Sequence, residues 1–205
     1  MPDVHFYEPA LGHGLRYNPL NAMVAPRPIG WIASRDAAGR ANLAPYSFFN
    51  AFCYEPPIIG FSSTAPKDTW ANVAQTGEFT WNLVTRELAE RMNATSATVP
   101  PGVDEFELAG LTKGPSRKVS VPRVAESRVS FECVRTQQLR LTGADGAPAR
   151  AWVTFGEVVG VHIDRALIRD GVYQTAEAHP VLRAGRLGDF VEVRPDAVFS
   201  MRRPD

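Results

Sequence analysis

Net charge is the first thing this 205-residue chain lacks: 22 basic residues meet 22 acidic ones, for a formal charge of zero. Without a basic excess no broad field attracts nucleic acid or an anionic membrane, so any anionic ligand has to be held locally. Cysteine is scarce. Cys53 and Cys133 lie far apart among apolar or aromatic neighbours, which supports neither a metal pair nor a disulfide framework and reads as two buried free thiols. The four histidines, His5, His13, His162 and His179, show no short ligand spacing, so a dedicated metal site has no support. No run of eighteen apolar residues occurs, and no basic segment followed by an apolar stretch opens the chain; the expectation is a cytoplasmic protein without a membrane partner. Also absent are a GxGxxG fingerprint, a Walker lysine and a GxSxG elbow, which leaves a Rossmann nucleotide site and a serine hydrolase unmotivated.

What is present is strand character, in segments rich in β-branched and aromatic residues. Residues 28–34 and 42–52 flank a hairpin loop containing Asp36 and Gly39, and 56–63 and 78–84 read as two further strands. Residues 128–141 and 149–163 flank the turn TGADGAP and form a second, longer hairpin, while 188–193 is expected to close the sheet. Helical signals are few. One helix follows Pro66, with Trp70, Val73 and Ala74 on one face and Gly77 as its stop; a second runs through TRELAERMN, with Thr85 as N-cap and Leu88 and Met92 on one side. From about residue 95 to 122 proline, glycine and charge rise without periodicity, as in a long ordered loop with a helical turn. The expected fold is mainly β, a barrel with a few short α-helices, built as a single domain over 1–205.

Two stretches carry chemistry, and each has two readings. FSSTAPKDTWANVAQTG, residues 61–77, sets Ser62, Ser63, Thr64, Lys67 and Thr69 around a helix start, where unpartnered N–H groups attract anions. A hydroxyl that caps the helix and a solvated lysine would account for the same residues. RPIGWIASRDAAGRANLAPYSFF gathers Trp31, Tyr46, Phe48 and Phe49 with Arg27, Asn42 and Ser47 on neighbouring strands. That suits a flat heterocycle, and equally an aromatic core with Pro45 at an edge.

Taken in order, PRPIGWIASRDAAGRANLAPYSFFNAFCYEPPIIGFSS, KDTWANVAQTGEFTWNLV, PPGVDEFELAGLT, FGEVVGVHID and VFSMRRP resemble the flavin reductase-like family of FMN-binding split-barrel proteins. The resemblance implies a homodimer with FMN in a groove. It assigns Ala44, Pro45, Tyr46 and Ser47 to the isoalloxazine, largely through backbone, with Asn42 as a neighbour. Ser62, Ser63, Lys67 and Thr69 fall to the phosphate, with Lys67 as its charge partner. Arg27 is expected near the ring, where a fixed cation stabilises negative charge on reduced flavin, and Trp31 supports it by packing. The implied reaction is hydride transfer from NADH or NADPH to flavin, with electrons passing to an acceptor such as a flavin-dependent monooxygenase. One departure stands out. Family members resemble GDHTIFFGEV where this chain reads ARAWVTFGEV, so Ala151 takes the place of a histidine expected near the nicotinamide. His162 is the candidate to serve that step from a nearby strand. The alternative is an FMN-binding electron-transfer flavoprotein without nicotinamide reductase activity of its own.

Overall fold

The structure is a computed structural model that describes residues 2–100 and 102–204. A seven-stranded antiparallel sheet is built from β1 (Gly30–Arg35), β2 (Ala41–Tyr46), β3 (Phe49–Cys53), β4 (Ile58–Ser63), β5 (Glu78–Asn82), β8 (Val129–Thr142) and β9 (Pro148–Ile163), in the order β2-β1-β5-β8-β9-β4-β3. Three two-stranded ribbons stand outside it: β6 (Lys113–Gly114) with β7 (Arg123–Val124), β10 (Ile168–Arg169) with β11 (Val172–Tyr173), and β12 (Val181–Arg183) with β13 (Phe190–Glu192).

The order shows why the sheet curls. β2 and β3 are its opposite edges, yet only Ser47 and Phe48 separate them in the chain, so the end of one edge lies close to the start of the other. The Ser62 N–H donating to the Phe48 carbonyl at 2.8 Å extends the β3–β4 pairing back into that connection. Register shifts at Glu132/Cys133, Arg135/Gln137 and Arg140/Thr142 bend the long β8–β9 hairpin around the barrel. Gly156 is required by the curl: a Cβ there would collide with the Phe79 ring.

Both hairpins read from the sequence are present, with two differences in extent. The segment 42–52 is two strands, because the chain crosses from one edge of the sheet to the other at Ser47–Phe48. Residues 188–193 do not close the sheet; Phe190–Glu192 pairs with Val181–Arg183 in a ribbon of its own.

β1 is buried along nearly its whole length because it has a core on each side. Trp31 and Ala33 pack with Leu43, Met92 and Phe106, whereas Ile32 packs with Phe61, Val73 and Phe79. The helices are α1 (Leu20–Met23), α2 (Asp68–Thr76), α3 (Ala89–Ala94) and α4 (Glu105–Leu108). α2 ends at Gly77 in the left-handed conformation, as the sequence indicates. Its buried face is Thr69, Asn72 and Val73 instead of an apolar Trp70–Val73–Ala74 stripe. Leu88 and Met92 are buried as expected, although Thr85 makes no side-chain cap and instead bridges to Pro180. Cys133 is buried, but Cys53 is exposed on the edge strand β3, with its thiol beside the Glu55 carbonyl. Among the described residues no helix is long and apolar enough to cross a membrane, and no cluster of metal-ligating side chains occurs.

Candidate functional site

The alternation of β2 decides what its residues face. Leu43 enters the Trp31 core, while Asn42 and Tyr46, on the other face, reach α2 and β4. The Asn42 amide donates to Thr69 Oγ1 at 2.9 Å, and the Asn72 amide donates to Ser34 Oγ at 3.1 Å. The Tyr46 ring packs 4.8 Å from Phe61, and its hydroxyl lies near Thr69. Burial pushes that hydroxyl up to about 12, so Tyr46 is a neutral hydrogen-bonding group at physiological pH.

The start of α2 bears on one of the two readings of residues 61–77. The residue before the helix, Lys67, has extended backbone, and no side chain caps the first turn. Ser63 Oγ donates to the Ala65 carbonyl at 2.6 Å, and Thr69 is engaged by Asn42, so neither hydroxyl serves as the cap. The first N–H groups of α2 are therefore without side-chain partners, beside an exposed Lys67 and the end of β4 where Ser62 and Ser63 pair with Val153 and Trp152. Asp68, in the first turn, is the acid that balances Lys67 there.

Arg27 lies at the other end of β2. Its side chain is buried, with Nε donating to the Ser47 carbonyl at 3.0 Å and Nη1 to the carbonyls of Asn21 and Val24, each at 2.5 Å. Burial first, and then the charge of Arg183, lower its pKa from the usual arginine value. Arg27, Pro45, Tyr46 and Ser47 form one wall of a cavity of about 210 Å³; residues of α3 and of the β12–β13 segment form the other. At the edge of the sheet β2 is covered only in part: the Leu43 N–H donates to Glu105 Oε2 at 3.0 Å, and Pro45, two residues on, has no N–H to offer.

The structure thus brings Asn42, Tyr46, Ser63, Lys67 and Thr69 to β2, the end of β4 and the start of α2, whereas Ser62, on the other face of β4, lines an apolar groove with Phe48 and Phe155. Arg27, Ala44, Pro45 and Ser47 continue that line along β2. Two residues escaped sequence reasoning. Asn72 and Ser34 complete the buried polar contact between α2 and β1, and the signal for Asn72 was its position three residues after Thr69 on one helical face. The aromatic group divides: Trp31 is fully buried with its Nε1 donating to Thr95 at 3.0 Å, Phe49 stacks on Trp81, and Phe48 stays exposed beneath Arg27.

His162 is not brought to this cluster. Its Nε2 lies 2.5 Å from Oε1 of Glu132, a buried carboxylate that also accepts from the backbone N–H groups of Arg117, Lys118 and Val119. Burial alone would raise the Glu132 pKa; the His162 bond and the three N–H groups outweigh it and hold it at about 2. Along β9, His162 is eight residues beyond Thr154, which pairs with Phe61, and at strand pitch that is roughly 25 Å. Ala151 is at the opposite end of β9, next to the Trp152 that pairs with Ser63, while the recorded side-chain partners of His5 and His179 are the His13 carbonyl and Glu192.

Residues 23–181 match the family model described as a flavin reductase like domain. Among solved structures, nitrilotriacetate monooxygenase component B from Bacillus cereus is 31% identical, with TM-score 0.82 over 89% of this chain and 90% of that one. The 2-nitrobenzoate 2-nitroreductase of Pseudomonas fluorescens is 25% identical, with TM-score 0.79 over 91% of each chain. A Shewanella frigidimarina protein with a split barrel domain is 26% identical, with TM-score 0.78 over 91% of this chain and 89% of that one.

Proposed function

The chain belongs to the flavin reductase like family of split-barrel proteins, and from that premise we propose that it binds FMN and transfers hydride to it from NADH or NADPH. The observation that carries the reading is the start of α2, where uncapped N–H groups and Lys67 lie next to the end of β4 at Ser63. These groups fit a phosphate, and Thr69, held by Asn42, fixes the helix against the strand. Ala44, Pro45, Tyr46 and Ser47 would lie along the ring, and Arg27, locked by three carbonyls, would present a cation whose position does not have to reorganise.

Bound FMN supplies the hydride-accepting ring, so the chain needs no acid or base of its own for that transfer. Its residues have other work: Lys67 and the helix start anchor one end, the β2 backbone orients the other, and the Tyr46–Phe61 contact excludes water between them. His162, tied to Glu132, acts on the fold instead of on the nicotinamide.

A second reading follows from Ala151. With no histidine beside it, an FMN-binding electron carrier that receives electrons from a protein partner fits the same site. The likeness to Bacillus cereus nitrilotriacetate monooxygenase component B supports a monooxygenase as the acceptor class on either reading. The assembly is a homodimer on this reading: Met23, Val24, Phe48, Phe52, Leu141 and Phe155 line one apolar groove at the sheet edge, large enough for a second copy to cover. The protein acts as one domain in the cytoplasm.

Anaerobic mixing of FMN-loaded protein with NADH or NADPH tests the reaction. Bleaching of the oxidised flavin bands on a turnover timescale supports the reductase, and a bound flavin that neither donor reduces supports the carrier. Lys67→Ala should weaken FMN binding roughly ten-fold or more, the loss of one charge-assisted contact. A folded Lys67→Ala protein with unchanged FMN affinity would show that the phosphate lies elsewhere.

A further inference from the structure

We propose that Ser34 and Asn72 are positioning residues for the flavin phosphate: the hydrogen bond between them sets where the start of α2 stands, so they act on the phosphate without touching it. The role rests on the phosphate seat proposed above and adds the groups that hold that seat in place.

The helix start does not fix its own place. Its first turn has no side-chain cap, and Thr64, Pro66 and Lys67, which lead into it, are exposed. The restraint therefore comes from contacts further along α2, whose buried face offers Thr69, Asn72 and Val73. Val73 belongs to the core of Ile32, Phe61 and Phe79. Apolar burial of that kind is non-directional and holds the helix down without setting its height or rotation.

Two hydrogen bonds supply the direction. Ser34 on β1 and Asn42 on β2 are paired across the hairpin, so their side chains stand on one face of the sheet. Thr69 and Asn72 are three positions apart on α2 and share one face of the helix. The two pairs meet: the Asn42 amide donates to Thr69 Oγ1 at 2.9 Å, and the Asn72 amide donates to Ser34 Oγ at 3.1 Å. Two fixed points nearly a turn apart define both the height and the rotation of a helix, which one point cannot. None of the four residues is more than 9% exposed, and Ser34 is completely buried, so water is a poor substitute for either partner.

The consequence falls on the phosphate. The N–H groups offered to an anion belong to the turn that begins at Asp68 and contains Thr69, and Asn72 stands one turn behind Asp68. Charge-assisted contacts need their donors in place to a fraction of an ångström, and a helix start that shifts loosens all of them together. Loss of the Ser34–Asn72 bond leaves α2 docked, because Val73 stays in its core and the Gln138 amide still donates to the Trp70 carbonyl at 3.2 Å.

Titration of the full chain with FMN and with riboflavin, followed by flavin fluorescence, tests the role, because the two ligands differ only in the phosphate. The native protein should bind FMN about a hundred-fold more tightly than riboflavin, as two charge-assisted contacts provide. Asn72→Ala and Ser34→Ala should each cut that preference about ten-fold while riboflavin affinity stays within about two-fold. The double variant should lose no more than the greater single loss, since both changes remove one hydrogen bond. Val73→Ala, which takes apolar packing from the same helix face, is the control for a merely structural role: it should lower the urea midpoint and leave the preference unchanged. If one polar variant does not fold, the other decides. A native preference that the polar variants keep overturns the positioning role alone, as does a loss in Val73→Ala equal to theirs. A native protein that binds both flavins equally refutes the phosphate seat itself.

Discussion

Replacing His162 with alanine separates a structural histidine from a catalytic one. In the folded protein Glu132 is held at about 2 against an ordinary value of 4.5, by His162 and three backbone N–H groups acting against burial. That difference corresponds to about 3 kcal/mol, at 1.36 kcal/mol per pKa unit. Because the folded pKa is depressed, this stability is present above pH 4.5 and is lost as pH falls towards 2. His162→Ala removes one of the four donors, and since that side chain is 22% exposed, water replaces part of the bond; the expected loss is about 1–2 kcal/mol at pH 7. Glu132→Gln keeps the shape and removes the charge, so it should cost about 3 kcal/mol or more at pH 7 and flatten the stability profile between pH 4.5 and 2. Urea unfolding of both variants at pH 7 and across that acid range reads these losses, and the rate of flavin reduction by NADH or NADPH, measured on the same samples, should stay within about two-fold. A His162→Ala protein of unchanged stability whose reduction rate falls ten-fold would refute the structural assignment.

Gly156→Ala should destabilise by about 1–3 kcal/mol, read as a lower urea midpoint, because its new methyl meets Phe79 in a core that cannot retreat. A thiol reagent should label one cysteine in the native protein and two after unfolding: Cys53 is exposed, whereas burial first, and then the Glu132 charge, push the Cys133 thiol up and leave it unreactive. Trp31→Phe should cost about 1 kcal/mol in thermal or urea unfolding, since the Thr95 hydroxyl loses a donor inside the core. Phe52→Glu, on the exposed edge strand, should shift the mass measured by light scattering towards the monomer while leaving the fold intact by circular dichroism.

The sequence by itself determined the strands, the two hairpins and the helix that stops at Gly77, because alternation, turn residues and a left-handed glycine are local properties. It also placed Ser63, Lys67 and Thr69 near the start of α2, since they lie within one stretch, and the structure shows that no side chain caps the first turn there. Position along a strand could not say what a side chain faces across the barrel. His162 belonged by its motif to the candidate site, and the β8–β9 register tied it to Glu132 instead. Residues 188–193 had the pattern of a closing strand, but they pair with Val181–Arg183 in a separate ribbon. That ribbon sets Arg183 opposite Arg27, more than a hundred and fifty residues away in the chain. Long-range pairing depends on how strands twist and where bulges bend them, and those are properties of the assembled sheet, not of any one segment.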